Sequence, residues 1–179
     1  MRCVPTGSCF SAILRKLSPS LNVIFFFNAM TVVEQIVPVE NISPRFDGYR
    51  RETLTLTWDE RRQGHGKRRS DAGLEFAISL PGGTVLKGGD CMILEPERTI
   101  VRIQEAPEPV YIVRPKTPQE WAYYAYHVGN RHQQVMIGDT ELIFLQNPAV
   151  RSLFEQLHVP FETGERPFTA ALTNVGHSH

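Results

Sequence analysis

The sequence predicts two domains. Residues 30–108 form an all-β half, a small sandwich or barrel, and residues 109–172 form an α+β half with ferredoxin-like βαββαβ order. Three observations predict it. The first half alternates apolar and polar residues with period two. The second carries two apolar stripes at helical spacing. Between them stands Ala106-Pro107-Glu108-Pro109, a boundary or short stiff linker.

In the first half, Leu54, Leu56 and Trp58 alternate with Thr53, Thr55 and Thr57, the signature of a half-buried strand. Leu74, Phe76, Ile78 and Leu80 repeat it against Glu75, Ala77 and Ser79. Turns follow at Pro81-Gly82-Gly83, Lys87-Gly88-Gly89-Asp90 and Glu95-Pro96-Glu97, with strands at Cys91–Leu94 and Thr99–Ile103. Short strands at regular spacing with Gly and Pro between them make a sandwich or barrel.

The second half opens with a strand at Val110–Val113. Thr117-Pro118-Gln119-Glu120 then supplies an N-cap, a proline at the first helical position and a capping-box Glu. Trp121, Tyr124, Ala125 and Val128 fall at i, i+3, i+4 and i+7, and Gly129-Asn130 offers the left-handed residues that end a helix. Two strands, Gln134–Ile137 and Glu141–Leu145, flank the Gly138-Asp139 turn. A second helix opens at Asn147-Pro148, with Val150, Leu153, Phe154 and Leu157 on one face. Val159–Phe168 can supply a last strand, which Pro160 and Pro167 confine to an edge or break. Residues 173–179 form a tail with little that can pack.

The chain has 179 residues, of which 41% are hydrophobic and 21% charged, values that exclude wholesale disorder and fibrous repeats. Nineteen basic and nineteen acidic residues leave no net charge to draw nucleic acid or anionic lipid. No run approaches the roughly 18 apolar residues of a membrane span, so a soluble, cytoplasmic protein with no membrane partner is expected. Cys3, Cys9 and Cys91 are too few for a disulfide scaffold or a Cys-rich zinc site. Residues 1–29 read as a leader outside the fold. They carry no Asp or Glu, and Pro19, Ser18, Ser20 and Asn22 interrupt any signal-peptide core. Translation from Met30 is the expected start, leaving 16 basic against 19 acidic residues.

Six histidines are the chemical candidates: His65, His127, His132, His158, His177 and His179. His132 follows the expected end of the first helix, where a turn can aim a side chain outward. His177-Ser178-His179 is a short His tract of the kind that binds metal. His127 and His132 are five residues apart, about 140° on a continuous helix, and cannot chelate one ion from one face. Useful metal sites need about four ligands, so His132 requires help from a two-fold partner and from the tail. Tyr123 and Tyr126 project away from the apolar stripe and fit an interface. A labile surface site of this kind suits a carrier better than a catalyst. No nucleophile elbow, His-Glu-x-x-His, phosphate loop or dinucleotide fingerprint is present, and Cys91 reads as a small core residue, so no enzyme is expected. Separately, Asp59–Arg69 holds Arg61, Arg62, Lys67, Arg68 and Arg69, a solvated hairpin loop or a docking surface.

These residues resemble a known family. Tyr126-His127-Val128-Gly129-Asn130-Arg131-His132 is similar to the H-L-G-N-R-H signature of the urease accessory protein UreE family. Arg61–Arg69 with Gly73 resembles that family's basic N-terminal segment, Leu86-Lys87-Gly88-Gly89-Asp90 its L-x-x-G-D turn, and Arg166-Pro167-Phe168 its terminal P-F element. The resemblance spans Val33 to Leu172, in order. It implies a cytoplasmic, homodimeric metallochaperone that delivers Ni²⁺ during urease assembly, with a partner- or peptide-binding N-terminal β domain and a metal-binding C-terminal domain. The implied partners are the accessory GTPase UreG and the urease apoprotein–accessory complex. It further implies His132 from each subunit as the central ligand, His177 or His179 completing the sphere and His127 as a further candidate. Tyr126, Asn130 and Arg131 would then lie at the dimer interface. Zn²⁺ or Cu²⁺ could occupy the same imidazoles, since the ligand type alone does not select nickel. Phe144-Leu145-Gln146-Asn147 lacks the peripheral His pair of some relatives. The alternative is a non-enzymatic docking module that uses Arg61–Arg69 for a protein or nucleic-acid partner.

Overall fold

The structure, a computed structural model, describes residues 30–171. The first half contains β1 (Val32–Val33), β2 (Val37–Pro38), β3 (Arg50–Leu56), a one-turn helix α1 (Trp58–Arg61), β4 (His65–Arg69), β5 (Glu75–Ser79), β6 (Asp90–Leu94) and β7 (Thr99–Glu105). They form a three-stranded sheet ordered β1-β5-β4 and a four-stranded sheet ordered β2-β6-β7-β3. Because each strand alternates, every second side chain points inward. Val33, Phe76 and Ile78 from one sheet meet Leu54, Leu56, Met92, Leu94, Val101 and Ile103 from the other in a single core.

The free edge of β3 is sealed locally. Asp71, in the turn after β4, donates its backbone N–H to the Thr53 carbonyl. Its carboxylate accepts from the Thr53 hydroxyl at 2.7 Å and from the Thr55 hydroxyl and N–H. The Thr53 hydroxyl, chiefly, holds the Asp71 carboxyl below its usual range. An edge occupied in this way offers little to an incoming strand.

Two segments depart from the sequence expectation. The alternation that carried β3 on to Trp58 stops at Leu56, because Thr57 and Glu60 form a reciprocal capping box that turns Trp58 into a helix. The Thr-x-x-Glu signature is visible in the sequence, but the continuing Leu54-Leu56-Trp58 pattern masks it. Arg61–Arg69 is not a hairpin loop: His65–Arg69 is strand β4, antiparallel to β5 and at the edge of its sheet. With two residues each, β1 and β2 carry too little pattern to read.

The second half runs β8 (Pro107–Val113), α2 (Pro118–Gly129), β9 (Met136–Ile137), β10 (Leu142–Leu145), α3 (Pro148–Gln156) and β11 (Glu162–Pro167). Its sheet is ordered β11-β8-β10-β9 with every neighbouring pair antiparallel. The expected linker is largely strand, since only Ala106 separates β7 from β8. Prolines fit there because β10 pairs with β8 only from Val110 onward, so Pro107 and Pro109 break no ladder bond on that side.

Val110–Val113 is buried residue by residue. Tyr111 and Val113 pack under α2 and α3 with Val128, Leu153 and Phe154. Val110 and Ile112 face the other way, onto Trp58, Ile143 and Phe168. A continuous apolar run is what a strand covered on both faces requires. Trp58 joins the halves: it is 1% exposed, its indole N–H donates to Gln134 at 2.7 Å and its backbone N–H to Glu108 at 2.8 Å. Past β11 the chain folds back, and Ala171 N–H donates to the Val135 carbonyl at 2.7 Å. Among the described residues no helix is long and apolar enough to cross a membrane.

Candidate metal centre

Helix α2 starts as the sequence predicts. The Thr117 hydroxyl accepts the Glu120 N–H, Pro118 occupies the first turn, and Glu120 reaches back to the Lys116 N–H. Trp121, Tyr124 and Val128 pack onto the sheet, which leaves Tyr123 and Tyr126 on the opposite face, 48% and 64% exposed.

The helix ends differently from expectation. Gly129 is helical and Asn130 keeps right-handed backbone; the left-handed residue is His132, at φ +52°. His132 N–H donates to the Gly129 carbonyl at 3.0 Å and Gln133 N–H to the Val128 carbonyl at 3.4 Å, the paired bonds that close a helix around a left-handed residue. Glycine is the usual occupant, and a side chain there costs about 1 kcal/mol. The His132 Cβ carries its imidazole off the helix end into solvent, and no hydrogen bond among the described residues engages it.

His127 sits differently. It is half-buried, its ring edge-on to Tyr123 at 4.4 Å between centroids and to Tyr126 at 5.3 Å. Tyr126, Asn130 and Arg131 are exposed around the same helix end as His132. His177 and His179 lie outside the described residues. Among the described residues no group of three or more His, Cys, Asp or Glu side chains gathers to hold an ion.

Residues 33–104 match the family model for the N-terminal domain of the UreE urease accessory protein, and residues 108–179 match the model for its C-terminal domain. The chain belongs to the UreE family. It is 37% identical over 132 residues to the urease accessory protein UreE of Burkholderia ambifaria, covering 73% of this chain and 65% of that protein. It is 35% identical over 127 residues to UreE of Nostoc punctiforme (71% and 86%) and 31% identical over 128 residues to UreE of Lysinibacillus sphaericus (72% and 86%). The chain thus spans just under two thirds of the length of the Burkholderia relative.

Within this UreE-family chain the basic segment is mostly spent on the fold. Arg61 is the clearest correction: at 1% exposure it is no docking residue. Its guanidinium lies near the Trp58 ring and bonds the Leu86 and Phe168 carbonyls, the Glu105 carboxylate at 3.0 Å and the Thr169 hydroxyl at 3.0 Å, so it ties the two halves together. Trp58 and Arg61 share a helix face at i, i+3, which is why both turn into the joint. Arg62 pairs with Asp59, Arg69 pairs with Glu75 at 3.1 Å, and Arg68 donates to the Gln63 and Lys67 carbonyls. Lys67 alone is exposed with no ion pair among the described residues. The one sequence signal that separates Arg61 from Arg62 is the Thr57-x-x-Glu60 capping box, which sets their helical phase.

Proposed function

We propose that this chain is a nickel metallochaperone, an accessory protein rather than an enzyme, which carries Ni²⁺ for urease assembly. It works in the cytoplasm as a homodimer, with the GTPase UreG and the urease apoprotein–accessory complex as partners. Neutral imidazoles of two His132 residues, one per protomer, grip the ion across the two-fold axis, and His177 or His179 completes the sphere. His127 is a further donor candidate. The observation that carries this reading is the His132 imidazole, held into solvent from a left-handed position and free of hydrogen bonds among the described residues.

Two further observations support it. Tyr126, Asn130 and Arg131 are exposed at the same helix end as His132, and exposed aromatics suit a subunit interface. The chain entering the tail is bonded to Val135, three residues from His132, so the six residues from Ala171 to His177 span about 20 Å when extended, ample reach. The antiparallel β11-β8-β10-β9 order supports a ferredoxin-like second half, and the core shared by two sheets supports a sandwich for the first. Imidazole also accepts Cu²⁺ and Zn²⁺, so nickel selection falls to geometry and to the partners.

Calorimetric titration of the full chain with Ni²⁺ tests the reading. The expected result is about one ion per dimer at roughly micromolar affinity, or about 8 kcal/mol. His132→Ala should weaken it, and undiminished affinity in that variant would sink the assignment. Docking through Arg61–Arg69 is the weaker reading, because most of those cations already hold partners within the fold.

A further inference from the structure

Between His132 and the start of β9 lie Gln133, Gln134 and Val135, which belong to no helix and no ladder. Each is tied to a different segment. The Gln133 amide oxygen accepts from Asn147, the cap of α3, at 3.3 Å. The Gln134 amide oxygen accepts the Trp58 indole N–H at 2.7 Å. The Val135 carbonyl accepts the Ala171 N–H at 2.7 Å. The first and third of these bonds stay within the second half. Among the described residues, the Trp58–Gln134 bond is the one hydrogen bond that runs from the first half to this segment.

Trp58 is the fixed end of that bond. Its backbone N–H is spent on Glu108, its ring stands edge-on to Phe168 at 6.1 Å, and the Arg61 and Arg62 guanidiniums lie 5.2 and 5.7 Å from the ring centroid. An indole has a single donor, and a buried donor is paired in a well-made fold. Gln134 is the movable end. It is exposed as a residue, so burial does not hold its side chain; the bond to Trp58 does.

His132 depends on this anchorage. Its imidazole makes no hydrogen bond among the described residues, so its aim is set by the chain on either side, α2 before it and the bonded segment after it. Gln134 is two residues further on, a reach of about 7 Å, so slack at Gln134 becomes slack at His132. A donor that shares an ion with a second protomer has to be held to about 0.5 Å. A turn left free would have to be ordered on binding, and that cost is subtracted from affinity.

We propose that Trp58 and Gln134 are positioning residues for the metal centre. Through their bond the first half holds the His132 turn in its binding geometry, although neither side chain touches the ion. The inference rests on the reading of His132 as the nickel ligand.

Nickel titration of the full chain by calorimetry, with thermal melts of the same samples, tests it. Gln134→Leu and Trp58→Phe should each weaken Ni²⁺ binding about fivefold, and the double variant also about fivefold rather than about 25-fold, because either change removes the same bond. Gln134→Leu alters an exposed site and leaves the fold intact even if Trp58→Phe does not. Ile100→Val, in a core cluster separate from Trp58, should lower the melting temperature and leave nickel affinity unchanged. Undiminished affinity in Gln134→Leu, losses that multiply in the double variant, or an equal loss in Ile100→Val would overturn the proposal. If His132→Ala still weakens binding in that case, the ligand assignment stands without it; undiminished affinity in His132→Ala overturns both.

Discussion

Helices α2 and α3 end on the same backbone device, each with a histidine in the left-handed position. At α3, His158 has φ +53°, its N–H donates to the Glu155 carbonyl at 3.3 Å, and Val159 N–H donates to the Phe154 carbonyl at 2.9 Å. The residue after the histidine separates the two ends. Val159 and Phe154 are both buried, in one cluster with Tyr111 and Phe144, so an apolar contact locks the α3 turn into the core. At α2 the corresponding residue is Gln133, half-buried and polar. It donates to the Arg131 carbonyl and accepts from the Asn147 amide at 3.3 Å. A left-handed histidine is therefore not in itself a mark of function. Both histidines are exposed, and what sets His132 apart is the exposed Tyr126, Asn130 and Arg131 at its helix end.

The contrast makes predictions that differ in size. Phe154→Ala should cost about 3–5 kcal/mol in urea unfolding, because the α3 end rests on a filled core site. Gln133→Ala, at the polar end, should stay within about 0.5 kcal/mol. Comparable losses from the two would erase the distinction between the ends.

Nickel affinity should divide the two histidines. His132→Ala should weaken Ni²⁺ binding about tenfold or more, equivalent to about 1.4 kcal/mol, and His158→Ala should leave it unchanged in the same titration. A loss at His158 would move the candidate site to the other helix end.

Asn147 touches both helices, since its side chain caps α3 through the Val150 N–H at 2.8 Å and also meets Gln133 beyond α2. Asn147→Ala should cost about 1 kcal/mol, the ordinary value of a lost N-cap. A loss no larger than that of Gln133→Ala would show that the cap contributes little here.

The smallest effect is the most diagnostic of strain. His132→Gly and His158→Gly should each raise stability by about 0.5 kcal/mol, as relief of the left-handed side chain outweighs the added freedom of the unfolded chain. Only the first should also lose nickel. A lower melting temperature in both would show that the turns carry no strain.

The sequence makes some of this legible and hides the rest for identifiable reasons. Thr117-Pro118 and Asn147-Pro148 mark both helix starts because capping is settled within four residues of chain. His132 stands out through its motif and its turn. Its left-handed backbone does not, because glycine is the usual residue there and Gly129 stands three residues earlier. Val110–Val113 is legible as a strand, but the residues that cover its second face, Trp58 and Phe168, are far away in sequence. Arg61 looks like one cation among five, and its burial depends on Glu105, Phe168 and Thr169 arriving from elsewhere.

Local chemistry therefore determined the periods of the strands, the caps and stripes of the helices, the placement of His132 and the family resemblance. These depend on residues within a turn or two of one another, where backbone geometry and side-chain spacing suffice. Tertiary structure alone decided which end of which helix is locked, which arginines are consumed within the fold, and how Trp58 joins the halves. Each of those outcomes is a contact between distant segments, and burial and pairing exist only once the chain has brought those segments together.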